Sequence, residues 1–200
     1  MPKIILAILF SLNFYTNVFA AVGCSLDDPD RDVKRLFPES SGYKTTFVTL
    51  KEIGGEALQK EVEEKLGDKF DTIYEGLDVA YAYYTVLKGK DPIGYIHGVN
   101  QKGKYGVLQL VIATDLQEKI TAFYYQKISS PESAKFRASV FTDQFKDLSL
   151  ADFNKRVSKI TDPSTNSPED FKATLRGIKK NLILLDEFLH RQVNKGGEIK

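Results

Sequence analysis

The chain has 200 residues, and its 28 lysines and arginines against 27 aspartates and glutamates give a formal net charge of +1. Lys3 is the only charged side chain in residues 1–20, so the remainder of the chain is neutral. A neutral chain has no general attraction for nucleic acid, and nucleic-acid binding is therefore not expected. The single cysteine excludes an internal disulfide framework, and the two histidines, His97 and His190, lie too far apart in sequence to suggest a Cys/His zinc site. No metal site is expected.

The first twenty residues have the pattern of a secretory signal peptide. Lys3 precedes an apolar run at 4–10, and the small residues Ala20 and Ala21 favour cleavage after Ala20. The apolar run is too short for a stable bilayer anchor, which needs about 20 residues. We therefore expect an exported protein of the periplasm or cell envelope.

Cys24 allows a second interpretation of this region. The run Ala21-Val22-Gly23-Cys24 resembles a bacterial lipobox, in which the chain is cleaved after residue 23 and the cysteine becomes a lipid-bearing first residue. A lipid attached to Cys24 would make the protein membrane-associated. The alternative is cleavage after Ala20, which leaves Cys24 as a free thiol. The sequence leaves both possibilities open.

The first part of the mature chain mixes helices with one strand. Asp28-Pro29-Asp30 is typical of a helix start, and Pro38 closes that helix after Leu36. A strand is predicted at 44–50. Apolar residues at helical spacing then predict a helix over 51–66, with Gly67 as its stop.

Strands dominate the middle of the chain. Aromatic and β-branched runs predict four strands, at 79–88, 93–100, 105–113 and 119–128. The turns between them have only a few residues, and such short connections join antiparallel neighbours. The pattern therefore predicts an antiparallel meander.

Helices return after Pro131 and end in one long element. Ser167 is the predicted N-cap of this last helix, with Pro168 in the first helical position and Asp170 three residues after the cap. One apolar stripe follows, and its members are Phe171, Leu175, Ile178, Leu182, Leu185 and Leu189. The predicted fold is α+β: an antiparallel meander flanked by N-terminal helices and a long C-terminal helix, in a single domain over residues 24–200.

The familiar catalytic patterns are missing from the sequence. It contains no G-x-S-x-G, no Walker loop, no H-E-x-x-H and no G-x-G-x-x-G. The residues themselves therefore give no positive indication of an enzyme.

Several short runs occur in an order known from one family. Asp32 to Glu39 contains the run Leu36-Phe37-Pro38-Glu39, Lys88 to Tyr95 reads "KGKDPIGY", Gly103 to Leu108 reads "GKYGVL", and 160–167 leads into the long helix. In this order they resemble the FMN-binding domain of the Rnf and Nqr electron-transport complexes and its exported relatives. The resemblance covers most of residues 32–190.

The resemblance implies an exported FMN-binding electron carrier, non-catalytic by itself, which exchanges electrons with a membrane redox complex or another carrier. It places the cofactor-binding residues in two segments, Ser129 and Ser130 in the first, and Ser164, Thr165, Asn166 and Ser167 in the second. The second segment precedes a helix N-terminus, where free N–H groups and the helix dipole favour a phosphate. A plain capping loop is the alternative interpretation of the same four residues.

Two departures from the family pattern bear on the flavin. The family's "ETPG" stands here as Ser129-Ser130-Pro131-Glu132, and its "GAT" is replaced within 162–167 by a run that keeps hydroxyls but lacks Gly-Ala. Covalent attachment of FMN is therefore not expected. A cofactor-free envelope scaffold or interaction protein with the same fold is the alternative function.

Overall fold

The computed structural model describes the backbone of residues 23–196 and the side chains of residues 23–191. The predicted signal peptide lies outside the described residues. Within them the fold is α+β, as predicted. One five-stranded antiparallel sheet has the order β1-β2-β3-β4-β5, and every strand pairs with its neighbours in sequence. The strands are β1 (Gly42–Val48), β2 (Tyr81–Lys88), β3 (Asp91–Lys102), β4 (Val107–Thr114) and β5 (Ile120–Ile128).

The meander prediction is confirmed, with some shifted boundaries. Strand β1, predicted at 44–50, forms at 42–48 and extends the meander at its β2 edge, from Gly42 opposite Leu87 to Val48 opposite Tyr81. Strand β3 is longer than predicted because its pairing with β4 continues to Lys102. Register shifts in β2/β3 and β4/β5 mark irregular positions, one of them between Val86 and Leu87.

Helix α1 (Pro29–Leu36) matches its prediction, with the Asp28 carboxylate accepting the N–H of Arg31 at 3.1 Å as a side-chain cap. The single helix predicted over 51–66 is wrong, since the structure has α2 (Leu50–Ile53) and α3 (Gly55–Leu66) instead. The break falls at a glycine pair, and Gly55 has a positive φ of 61°, which costs a glycine little. Gly67, left-handed at φ 77°, ends α3 as predicted.

The segment after β5 folds into several short helices. They are α4 (Ser133–Arg137), α5 (Ser139–Thr142) and α6 (Leu150–Arg156), and a short 3₁₀ turn follows α5 and another follows α6. Phe136, Phe141 and Phe145 all turn inward and are almost fully buried. Val140, which the helical pattern included, is 80% exposed. These three buried phenylalanines, rather than a continuous helical face, hold this segment against the core.

The long helix α7 (Pro168–Gly196) packs across one face of the sheet, mainly against β3 and β4. Its predicted stripe is core: Ile178, Leu182 and Leu185 are buried, and the other members pack against the same cluster. Burial extends beyond the stripe to Ile183, Leu184 and Phe188. Helix α3 contacts α7 as well, so α7 is enclosed on more than one side.

The opposite face of the sheet has its own smaller core, which we call the N-terminal core. The chain from Gly23 to α1 covers this face. The members of the core are Cys24, Leu26, Val33, Phe37, Ala82, Tyr84, Val86, Ile96, Val111 and Ala113. Helices and the N-terminal segment thus cover both faces of the meander.

Phe188 tests the role of α7 in stability. Its ring is fully buried, with ring centroids 5.5 Å from Tyr81 and 5.4 Å from His97. We expect Phe188→Ala to lower the free energy of unfolding by about 3–5 kcal/mol, because the change removes buried surface and leaves a cavity. Val140→Ala, at an exposed position, is the control and should stay within about 0.5 kcal/mol of the wild type. Denaturant unfolding measures both, and equal midpoints would show that Phe188 is not a core residue.

Candidate functional site

The two predicted cofactor segments lie side by side in the structure. Ser129 and Ser130 follow the end of β5, and residues 164–167 precede α7. The connection between them is Glu132, whose side chain reaches the loop before α7. Ser130 supports this arrangement because its hydroxyl accepts the N–H of Glu132 at 3.3 Å.

The carboxylate of Glu132 binds the backbone of the second segment. It accepts the N–H of Thr165 at 3.0 and 3.1 Å and the N–H of Asn166 at 2.8 Å. The Lys135 ammonium pairs with it at 2.6 Å, and the Glu132 side chain is only 12% exposed. Lys135 and these two N–H groups lower the pKa of Glu132 to about 2. Glu132 is therefore ionised at all ordinary pH values.

The side chains of the second segment bond locally. The Ser164 hydroxyl and N–H both donate to the Asp162 carboxylate, at 2.7 and 2.8 Å. The Thr165 hydroxyl accepts from Lys135 at 2.7 Å. Ser167 is fully buried, and its hydroxyl makes no regular hydrogen bond within the described residues, although it lies close enough to Glu132 to help lower that pKa. The predicted side-chain cap by Ser167 is therefore not formed.

The loop before α7 has the groups that bind an anion: two backbone N–H groups, a lysine and the positive end of a helix. In this structure the anion is a carboxylate of the same chain. A phosphate placed on the same N–H groups would have to displace Glu132 or lie against its negative charge. Ser130, Thr165 and Asn166 thus contact Glu132, whereas the Ser129 hydroxyl donates to the Val107 carbonyl. This arrangement does not fit an FMN phosphate while Glu132 is in place.

The three consecutive aromatic residues of β5, which could offer a surface to a flavin ring, point to both faces of the sheet. Phe123 and Tyr125 pack edge to face, 4.9 Å between centroids, inside the core beneath α7. Tyr124 lies on the opposite face. Its hydroxyl donates to the Asp32 carboxylate at 3.1 Å, and the Arg35 guanidinium lies 4.3 Å from its ring centroid. These rings serve two separate cores rather than one cofactor platform.

A buried charged cluster between the sheet and α7 was missed by sequence reasoning. Glu75, in the loop before β2, pairs with Lys180 and with Arg176, whose guanidinium bonds both carboxylate oxygens at 2.7 and 3.0 Å. Lys180 also donates to the Asn100 carbonyl at 2.7 Å. Burial raises the pKa of Glu75, but the two cations outweigh it and the net direction is downward. Burial lowers the pKa of Lys180, against the attraction of Glu75.

His97 belongs to the same interface and is fully buried. The Asn181 amide nitrogen donates to the carbonyls of His97 and Leu110, both at 3.2 Å, so its oxygen faces the imidazole at 2.6 Å. Nδ1 must then carry the proton and donate to Asn181. Burial lowers the pKa of His97 to about 4 and keeps it neutral. A signal for this cluster existed in the sequence: Lys180 and Asn181 interrupt the apolar positions around Ile178 and Leu182.

Cys24 lies in the N-terminal core and is 2% exposed. The Gly23 N–H donates to the Ala80 carbonyl at 2.6 Å, which anchors the segment at its first described residue. Gly98 leaves room for the cysteine, since a Cβ at that position would come within 2.9 Å of the Cys24 sulfur. Burial, with a smaller contribution from Asp27, raises the pKa of the thiol to about 12. Membrane attachment through this sulfur would require it to leave the core.

In the part of the chain that the structure describes, no helix combines the length and the apolar character needed to cross a membrane. Comparisons with known proteins identify no family: no family model matches the chain, and no curated protein matches it. The resemblance to the FMN-binding domain therefore rests on the motifs of the sequence alone.

Glu132 provides a pH test of the local geometry. Its pKa in the folded state is about 2, below the ordinary value of about 4.3 in an unfolded chain. A depressed pKa contributes stability above the unfolded value, and this contribution is lost as the pH falls towards 2. We expect Glu132→Gln to show a smaller loss of stability between pH 5 and pH 2 than the wild type. Urea midpoints across this range measure it, with Glu39→Gln, at an exposed position, as the control. Parallel curves for wild type and Glu132→Gln would contradict the assignment.

Cys24 provides a second test. With a buried thiol of raised pKa, the native protein should react with a thiol reagent at pH 8 only after denaturation. We expect mass spectrometry to find a mature N-terminus at Ala21 and an unmodified Cys24. A chain that begins at an acylated Cys24 and takes up labelled palmitate would support the lipobox interpretation instead.

Proposed function

We propose that this chain is an exported, non-catalytic protein that has the scaffold of a flavin-binding domain and acts through contacts with a partner in the cell envelope, without bound flavin. The single observation that carries the proposal is the position of the Glu132 carboxylate on the Thr165 and Asn166 N–H groups. Export is supported by the signal-peptide pattern of residues 1–20 and remains part of the proposal.

The electrostatics of this contact favour the carboxylate over an incoming phosphate. Glu132 is held by Lys135 at 2.6 Å, so the local positive charge is already balanced. Displacing Glu132 would separate this ion pair and would leave an ionised carboxylate beside the bound phosphate. Like charges at such short range are repulsive, and the shielding of Glu132 from water strengthens the effect. An internal anion thus fulfils the capping role that a ligand would otherwise take.

A flavoprotein is the second candidate, and one observation favours it. Two segments more than 30 residues apart, 129–130 and 164–167, were predicted as cofactor-binding from motif order, and contacts through Glu132 bring them together. In that case the chain would bind FMN non-covalently and pass electrons to a membrane redox complex or another carrier. The redox chemistry would come from the flavin, and the chain would supply binding and orientation.

Titration with FMN separates the two candidates. We expect the purified wild type to be colourless and to leave the fluorescence of FMN unchanged up to about 100 µM, a concentration that would nearly saturate a site with a dissociation constant of about 1 µM. Glu132→Ala should gain measurable binding of inorganic phosphate, because the N–H groups of Thr165 and Asn166 and the Lys135 ammonium then have no carboxylate partner at position 132. Glu169→Gln, also at the start of α7, is the matched control and should behave as the wild type. A wild-type protein that carries FMN from its native host, or binds it in titration, would contradict the cofactor-free proposal.

A further inference from the structure

Three metal-ligating side chains meet at the far end of the sheet from the Glu132 site. Asp186 and His190 lie one turn apart on α7, and Glu118 lies in the turn between β4 and β5. The imidazole Nε2 is 3.5 Å from a carboxylate oxygen of Asp186 and 3.8 Å from one of Glu118. One ligand atom from each residue lies within 4.8 Å of the other two. We propose that this triad binds a divalent transition-metal ion of the zinc type.

The two distances from the carboxylates to the imidazole nitrogen suit such an ion. Zinc binds histidine nitrogen and carboxylate oxygen at about 2.0–2.2 Å, so ligand atoms at the corners of a tetrahedron are about 3.4 Å apart. The two distances to the imidazole nitrogen, 3.5 and 3.8 Å, are a few tenths of an ångström longer. Small rotations of the side chains would close that difference. Three protein ligands leave a fourth position for water, as in open zinc sites.

The triad is a mixed donor set rather than an acidic patch. The imidazole favours zinc-like ions, whereas calcium and magnesium require more oxygen ligands than these residues supply. The helix provides two of the donors at i and i+4, which puts them on the same side of α7. The third donor comes from a turn that the Asp115 carboxylate holds, by accepting the N–H groups of Gln117 and Lys119, each at 2.9 Å. Both carboxylates also line an open pocket, together with Asn154.

The charge balance of the site supports a cation. Glu118 and Asp186 are partly buried, at 24% and 31% exposure. Among the described residues, His190 is the only basic side chain that pairs with either carboxylate, since no lysine or arginine lies within 4 Å of them. A carboxylate oxygen of Glu118 lies within 4.8 Å of one of Asp186, so the two negative charges repel each other. A divalent ion would relieve that repulsion, and the neutral imidazole would then serve as a ligand.

Sequence reasoning did not predict this site. The expectation of no metal rested on the long separation between His97 and His190 and on the single cysteine. One histidine with two carboxylates was not considered, and nothing in the sequence brings Glu118 close to α7. This inference is independent of the flavin question, because it uses other residues at another place in the fold.

Calorimetric titration of the untagged, chelator-treated protein with Zn²⁺ tests the proposal. We expect one ion per chain and a rise in the thermal midpoint that follows the zinc concentration. His190→Gln, Glu118→Gln and Asp186→Asn should each weaken the affinity by about tenfold or more. Cobalt absorption should report a four- or five-coordinate site in the wild type and lose intensity in His190→Gln.

Two controls make the result decisive. Glu39→Gln, a carboxylate removed from an exposed turn elsewhere, should bind Zn²⁺ as the wild type does. Ca²⁺ and Mg²⁺ at the same concentrations should produce no comparable shift in the thermal midpoint. The proposal is overturned if no stoichiometric binding occurs up to about 100 µM Zn²⁺, well above the affinities of built zinc sites, or if His190→Gln binds as tightly as the wild type. Circular dichroism of each variant verifies the fold, which these partly exposed positions should tolerate.

Discussion

The docking of α7 onto the sheet is the contact on which the rest of the structure depends, and a buried ion pair controls it. Lys180 is fully buried, and Glu75 is almost so. Neither side chain could remain charged in this buried environment without its partner, because removing one member of a buried ion pair costs about 3–5 kcal/mol of stability. The pair and Arg176 therefore fix the position of α7 along β3, and with it the loop that precedes the helix at one end and the Asp186–His190 turn at the other.

Much of the fold followed from local patterns in the sequence. The meander was predictable because its turns are too short for any connection other than antiparallel neighbours. The core side of α7 was predictable from the spacing of Ile178, Leu182 and Leu185. The break at Gly54 was not, because apolar spacing runs through it, and only the positive φ of Gly55 shows why one helix becomes two.

The candidate sites were less predictable for a physical reason. The two predicted segments, 129–130 and 164–167, are connected through Glu132. The residue that decides what they bind is Glu132, whose role depends on a contact across more than 30 residues. The donors of an anion site can be predicted from the sequence. Only the tertiary structure shows that a side chain of the same chain already accepts from them. The same limit applies to Glu118, which approaches α7 only after the sheet has formed.

The packing of Cys24 against Gly98 bears on the proposed export of the chain. The sheet holds a place for the sulfur of Cys24, and the backbone is fixed from Gly23 onward. Cleavage after Ala20 would therefore fall within about 10 Å of the folded surface, since an extended chain spans about 3.4 Å per residue. A peptidase that needs an extended substrate would find few accessible residues to bind once the domain has folded. If the chain is exported and cleaved after Ala20, as proposed, we expect cleavage to precede closure of the N-terminal core around Cys24.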